Sequence, residues 1–337
     1  MYITSDIDDQ KWDEYVKNHP FGNIFQTTSM YYVYEKTKNY FPIKLCAVNE
    51  ITGKIEGVLN GVTICEMTGL LGKTLLGEFS TRSIIEGGPL VSGNSIDCIS
   101  KMVIEYDKKV QKKSVYTETW NFNDMKSLLD KVENYDYENH LNFIINLELL
   151  EEDLWRQLHR SRRRNINKAI REGIVIEEIN HRKMIPVFYD LVKETYKRAR
   201  IPLADISLFE SAFDQLVPKN MVKFFLAKHD DIYLSSIAVL TYNHTIFAWY
   251  AGTSNNALSL FPNDYLVWHV LKWGIENNYK LFDFGGAGKP DVEYGPREFK
   301  RRFGGKLVNY GRHVHIHSPL KKKITDYGLK VYQKIHL

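Results

Sequence analysis

Apolar residues recur along the chain in two rhythms, and their order outlines a similar plan twice. Near the start, KWDEYVKNH and SMYYVYEKT carry short helical spacings. A hairpin follows, IKLCAV and IEGVLNGVTI around the turn NEITGK. A loop bearing Gly and Pro accompanies the strand SIIEGGPLV, then come a helix at IDCISKMVIEYDKKV and a strand at SVYTETW. The second half opens with a long helix over about 151–172 and a helical pattern at MIPVFYDLVKETYKRA. Three strand-like runs come next, MVKFFLAK, DIYLSSIAVLTY and TIFAWYAG, separated by HDD and NH turns. The helix YLVWHVLKWGIENN sets Leu266, Val267, Val270, Leu271 and Ile275 at helical spacing and runs into the strand KLFDFGG. One last strand is expected over KLVNYGRHVHIH. Helices, antiparallel strands, a crossover helix and a further strand describe an α+β, or mixed α/β, domain used twice. The break falls near 146–152, giving domains of 1–148 and 149–337.

At 337 residues the chain is long for one hydrophobic core, which agrees with two domains. The N-terminus MYITSDIDDQ is polar and acidic, unlike a signal or transit peptide. No apolar run reaches the roughly 18 residues of a membrane span. Cys46, Cys65 and Cys98 are odd in number and far apart, against a disulfide framework or a Cys-based zinc site. A cytoplasmic protein is expected. Charge is uneven along the sequence. Residues 1–150 carry 15 Lys and Arg against 21 Asp and Glu, whereas 151–337 carry 30 against 20. The second half is the one expected to meet a polyanion.

The segment EEDLWRQLHRSRRRNINKAIREG concentrates that charge. Seven Lys and Arg lie between 156 and 171 with no acid among them. Glu151, Glu152 and Asp153 sit where a helix dipole favours them, and Gly173 ends the run. On a helical wheel, Leu154, Trp155, Leu158, Ile166, Ala169 and Ile170 share one arc, opposite Arg156, Arg160, Arg163, Arg164 and Arg171. Arg162 and Asn165 fall inside the apolar arc and must be paired there or point into a cleft. The basic arc is either a solvated face or an anion-binding one.

LFDFGGAGKPDVEYGPREFKRRFGG, Leu281 to Gly305, is glycine-rich at one end and basic at the other. It does not fit a phosphate loop. The position five residues before Gly288-Lys289 is Asp283, and Lys289 is followed by Pro290. A dinucleotide fingerprint fails as well, because a proline stands where the helix should open.

RRRNINKAIREGI, the run from TIFAWYAG through LFDFGG, and PREFKRRFGGKLV together resemble the Fem-type peptidoglycan bridge-forming aminoacyltransferases. GNIFQTTSMYYVYEKT and FSTRSIIEGGPLV in the first half extend the resemblance over nearly the whole chain. The resemblance implies two GNAT-like domains facing a common cleft, in a compact form without the helical-hairpin insertion of some members. It implies transfer of an amino acid from aminoacyl-tRNA to an amine of a peptidoglycan precursor, nucleotide- or lipid-linked, with no cofactor. By the same match Lys300 is the catalytic lysine, and LFDFGG is a structural turn preceding a basic clamp. Lys36 falls where the family contacts substrate phosphates, and Arg82, Arg200 and Tyr250 complete the expected substrate-binding set. The tRNA-dependent members have an arginine shortly before an aromatic at the stretch matching ADISLF. Here Asp205 precedes Phe209, and Arg200 is the nearest substitute. Arg160, Arg163, Arg164, Lys168, Arg301 and Arg302 form the expected phosphate- or nucleic-acid-binding set.

An aminoacyl ester is already activated, so direct attack by the amine needs orientation, proton acceptance and oxyanion stabilisation rather than a covalent intermediate. No Ser-His-Asp or Cys-His motif is visible, in keeping with that chemistry. Two other readings stay open: an acyl-CoA-dependent N-acyltransferase acting on an amino sugar or small amine, and a non-catalytic RNA-binding protein. The stretch GTSNNALSLFPND lacks the glycine-rich pyrophosphate loop that CoA binding commonly uses. His313, His315 and His317 alternate and would share one strand face. With no acidic or cysteine partner nearby in sequence, no metal is expected there. The tail KKKITDYGLKVYQKIHL reads as a basic amphipathic helix expected to pack on the body, with an anionic membrane as the alternative contact.

Overall fold

A computed structural model describes residues 1–65, 81–123 and 126–335. The opening Phe79 and Ser80 of the FSTRSIIEGGPLV stretch lie outside the described residues. The chain divides into two compact units, one formed by Met1–Asn139 with Tyr310–Leu337 and the other by His140–Asn309.

The first unit holds an eight-stranded sheet of β1 (Tyr2–Thr4), β2 (Tyr40–Val48), β3 (Ile55–Cys65), β4 (Thr81–Glu86), β5 (Leu90–Val91), β6 (Tyr116–Trp120), β7 (Asp136–Glu138) and β15 (Arg312–Ile316). Its order is β1-β2-β3-β4-β6-β15-β7, with β5 paired to β3. The helices are α1 (Asp9–Asn18), α2 (Thr28–Glu35), α3 (Ile96–Val110), the short α4 (Lys126–Leu129) and, at the tail, α11 (Pro319–Ile335). The Ser95 side chain caps α3 by accepting from Cys98 N–H, and Cys98, Ile99, Met102, Val103, Tyr106 and Val110 form its buried stripe. That stripe lies close over β3. A Cβ at Gly61 would sit 2.4 Å from the Tyr106 hydroxyl oxygen, which itself shares a 2.5 Å hydrogen bond with Ser83 Oγ. Glycine is what lets the tyrosine ring lie flat on the strand.

The second unit holds a seven-stranded sheet of β8 (Leu141–Asn146), β9 (Val175–Glu178), β10 (Val222–His229), β11 (Ile232–Tyr242), β12 (Thr245–Thr253), β13 (Leu281–Gly286) and β14 (Lys306–Asn309), in the order β14-β8-β13-β12-β11-β10-β9. Its helices are α5 (Glu151–Gln157), α6 (Arg160–Arg171), α7 (Ile185–Ala199), α8 (Ser207–Leu216), α9 (Pro262–Glu276) and α10 (Gly295–Arg301). Consecutive residues of β10 show how the layers stack. Phe224 meets Phe188 of α7 and Phe213 of α8, while Phe225 meets His269 and Trp273 of α9. Neighbouring strand residues point to opposite faces, so helices cover both sides of the sheet. The helix α9 forms the crossover that makes β13 parallel to β12.

The structure corrects several expectations. The domain break lies at 139/140 rather than 148/149, and residues 310–337 return to the first unit. The expected final strand is two: β14 pairs with β8, and β15 pairs with β6 and β7. Gly311, at φ +70°, provides the left-handed bend between them. The charge asymmetry between halves shrinks once the tail is reassigned. The first unit carries 21 Lys and Arg against 21 Asp and Glu, and the second 24 against 20. The alternating histidines do meet an acid, because His315 Nδ1 lies 2.7 Å from Asp107 Oδ2 on α3. Along the tail helix Leu320, Ile324 and Tyr327 share one exposed face, while Lys322 lies over the Tyr116 ring at 5.0 Å. Among the described residues no helix is long and apolar enough to cross a membrane.

Replacing Gly61 by Val forces the Tyr106 ring off β3. The variant is expected to lose about 1–3 kcal/mol of stability, as overpacked cores do, measured as a lower urea midpoint with an unchanged slope.

Candidate active site

The site is built where β13 ends and α10 begins, within the second unit. The pairing of β13 with β8 shifts register between Asp283 and Gly286, and Gly285 takes φ +67°. This bulge turns three successive carbonyls toward one point. Lys300 Nζ occupies it, donating to Phe284 O (2.6 Å), Gly285 O (3.2 Å) and Gly286 O (2.7 Å). An ammonium has three donors, and all three are used. The Asp283 carboxylate fastens the bulge from behind, its Oδ1 accepting from Gly285 N–H and Asn142 Nδ2, each at 2.7 Å. Burial pushes the Lys300 amine down to about 8, with the Asp283 charge opposing that shift. Burial likewise raises Asp283, against its two hydrogen bonds and Lys300.

Sequence reasoning passed over Arg297, one turn before Lys300. It donates from Nε to Ala287 O (2.8 Å), from Nη1 to Pro290 O (3.1 Å) and from Nη2 to Lys289 O. The glycine-rich stretch thus offers carbonyls to cations, the reverse polarity of a loop that cradles phosphate with N–H groups. Its spacing before PREFKR was visible in the sequence, but the direction of the carbonyls was not.

The long basic helix is two helices. Leu158 and His159 leave the helical conformation between α5 and α6, and His159 N–H bonds to Arg302 O at 2.9 Å. The end of α10 therefore fixes the start of α6. Arg162 and Asn165 are paired inside, as their place on the apolar arc requires. The carboxylate of Asp264 accepts from Arg162 Nη1 (2.5 Å) and Asn165 Nδ2 (3.1 Å) on its Oδ1. The guanidinium also stacks 4.4 Å from the Phe299 ring centroid, beside Lys300. A cavity of about 250 Å³ opens here, lined by Thr195, Arg198, Gly252, Phe261, Asp264 and Phe299 among others.

The acetyltransferase (GNAT) domain family profile matches residues 156–301, which contain these groups except Asn142 and Arg302. The lipid II:glycine glycyltransferase of Staphylococcus epidermidis is 20% identical, over 98% of each chain. The solved structure of FemX superposes at a TM-score of 0.70 with 18% identity, covering 96% of this chain and 100% of that one. A structure of L-PGS from Bacillus licheniformis gives a TM-score of 0.60 with 13% identity, covering 98% and 99%. The chain has a GNAT-like fold and is similar to Fem-type proteins over nearly its whole length. The alignment with the S. epidermidis protein spans 414 positions, so at least 77 of them (414 less the 337 residues here) have no counterpart in this chain.

Other expected site residues scatter more widely. Lys36 is exposed at the C-cap of α2, and Arg82 on β4 stands 3.5 Å from Glu118; both belong to the first unit. Arg200 caps α7 in the left-handed conformation at φ 56°. Tyr250 is part of an aromatic cluster, 4.8 Å from Phe209 and 5.7 Å from Tyr196 by ring centroids. Lys168 donates to Ser259 O (3.0 Å) and lies over Phe261. Arg301 and Arg302 share Glu298, whose carboxyl they hold down at about 2. The side chains of Arg160, Arg163 and Arg164 pair with no described residue, which leaves them as the open basic face.

The Arg162–Asp264 pair is nearly closed to solvent, at 11% and 6% side-chain exposure. Arg162→Met strands a buried carboxylate and is expected to cost about 3–5 kcal/mol. Adding Asp264→Asn should return much of that loss. A double-mutant cycle by chemical denaturation checks the coupling.

Proposed function

We propose that this protein transfers an amino acid from aminoacyl-tRNA to an amine on a peptidoglycan precursor peptide. The observation that carries the reading is the Lys300 amine, held at the β13 bulge with its basicity lowered to about 8, in a chain similar to lipid II:glycine glycyltransferases. Such an amine exchanges a proton near neutral pH. When it is neutral it keeps two N–H donors for three carbonyls and has a lone pair to turn outward. The acceptor amine attacks the ester carbonyl carbon, the C–N bond forms and the C–O bond to the ribose breaks. Lys300 takes the proton from the acceptor nitrogen and returns it to the departing ribose oxygen, so charge and protons balance over the cycle.

The start of α9 favours an ester donor over acyl-CoA. A pyrophosphate bound at a helix start needs free N–H groups and positive potential. Here Pro262 supplies no N–H at the first position, and the buried Asp264 carboxylate, already matched by Arg162, occupies the first turn. An incoming diphosphate would meet a carboxylate. For a lipid-linked acceptor, the exposed Leu320, Ile324 and Tyr327 of α11, next to Lys321, Lys322 and Lys323, support contact with an anionic membrane surface.

The protein is to be incubated with wall precursor and bulk aminoacylated tRNA, and the precursor weighed. A gain of one amino-acid residue is expected, and a gain seen only with acyl-CoA overturns the donor. Lys300→Met is expected to lower the rate by about 10²–10⁴-fold with the fold retained. The rate should rise with pH through about 8 and level off above it, because the deprotonated amine is the active form. Removing the Asp283 charge takes away what favours the protonated amine, so Asp283→Asn should move that limb to lower pH.

A further inference from the structure

The first unit contains a cluster that the transfer chemistry does not use. Asp107 lies in the last turns of α3, His315 on β15 and His317 just beyond it. His315 Nδ1 is 2.7 Å from Asp107 Oδ2, and His317 Nε2 is 3.8 Å from Asp107 Oδ1. One ligand atom from each of the three residues lies within 4.8 Å of the others. Ligands about 2.0–2.2 Å from a shared tetrahedral metal stand about 3.4 Å apart, a value the two measured separations bracket. Small side-chain rotations therefore suffice to form a three-ligand site.

The surroundings favour a cation. Asp107 is 8% exposed, and among the described residues its ionic partners are these two imidazoles. The carboxylate is oriented from outside the cluster by Tyr135, whose hydroxyl donates to Asp107 Oδ1 at 2.9 Å, whereas His317 Nε2 rests 2.8 Å from Thr117 Oγ1, a contact that metal binding would replace. An outer partner such as Tyr135 is what holds a ligand in place around a metal. His313, on the same strand face, is engaged elsewhere, 3.0 Å from Asp130 and 3.1 Å from Asn121.

We propose that Asp107, His315 and His317 bind a divalent transition-metal ion, zinc in the first instance, that fastens the returning strand β15 to α3. Two imidazoles and a carboxylate suit such an ion, with water completing the shell. The sequence separation of 208 residues between Asp107 and His315 gives the link its value, since closing a long loop removes the most freedom from the unfolded chain.

The full chain, stripped with chelator and dialysed, is titrated with Zn²⁺ and separately with Co²⁺. The expected results are about one tightly held equivalent, a thermal midpoint that rises with zinc and falls back with chelator, and the visible absorption of tetrahedral cobalt. Asp107→Asn and His317→Gln should each lose the equivalent, while His313→Gln on the same face should keep it. Should the first two variants not fold, the wild-type cobalt spectrum decides alone, tetrahedral bands supporting the site and their absence overturning it. Metal uptake that survives in folded Asp107→Asn and His317→Gln also overturns it, as does a wild-type chain that retains no zinc.

Discussion

The arrangement of the second unit depends on an ammonium group surrounded by backbone carbonyls. Three oxygens of the β13 bulge converge on Lys300 because Gly285 adopts a left-handed conformation and Asp283 ties Gly285 N–H and Asn142 to one carboxylate oxygen. Without the bulge, successive carbonyls of an extended strand would alternate in direction. Without the lysine, the carbonyls of Phe284, Gly285 and Gly286 would lose this donor. Strand, glycine, carboxylate and amine are therefore one unit, and the lowered basicity of Lys300 follows from how closely that unit is packed.

A second set of contacts fixes the first in place. Phe299 precedes Lys300 on α10 and Phe303 follows just beyond the helix, and the Arg162 guanidinium covers both rings. Arg162 is in turn held by Asp264 at the start of α9, and His159 N–H reaches back to Arg302 O. The same carboxylate that anchors Arg162 occupies the helix start where a diphosphate would otherwise be welcome. The same buried pair thus holds the rings beside the lysine and sets the charge at the start of α9.

Local pattern was enough to find most elements, and the family resemblance supplied Lys300. The apolar stripe of α3, the β10–β12 strands and the crossover helix α9 all follow from periodicities that packing later reinforces. What escaped was decided at long range. Next to Leu158 the local signal is weak, an unusual histidine cap in which His159 Nδ1 accepts from Ser161 N–H, and the His159 N–H is held at long range by Arg302 O. KLVNYGRHVHIH alternates without interruption as a pattern, yet its halves pair with partners in different sheets. Asp107 and His315 are too far apart in sequence for spacing to connect them. Arg162 and Asn165 are the instructive exception, because polar residues on an apolar arc have to find a buried partner, and Asp264 is that partner.

Reassigning the tail also changes what the basic helix means. The first unit is balanced, with 21 cationic against 21 anionic side chains, and the second is only mildly basic at 24 against 20. A long-range field from a strongly basic half is therefore absent, and attraction for a polyanion has to be local. Within the basic cluster Arg162 is paired with Asp264, Lys168 with a backbone carbonyl, and Arg301 and Arg302 with Glu298. Arg160, Arg163, Arg164 and Arg171 remain, the first three within little more than one turn of α6. Three cations on one turn match a few phosphates rather than a long duplex. In the proposed reaction that suits the end of an RNA, whose terminal ester is the reacting group, better than it suits the body of one.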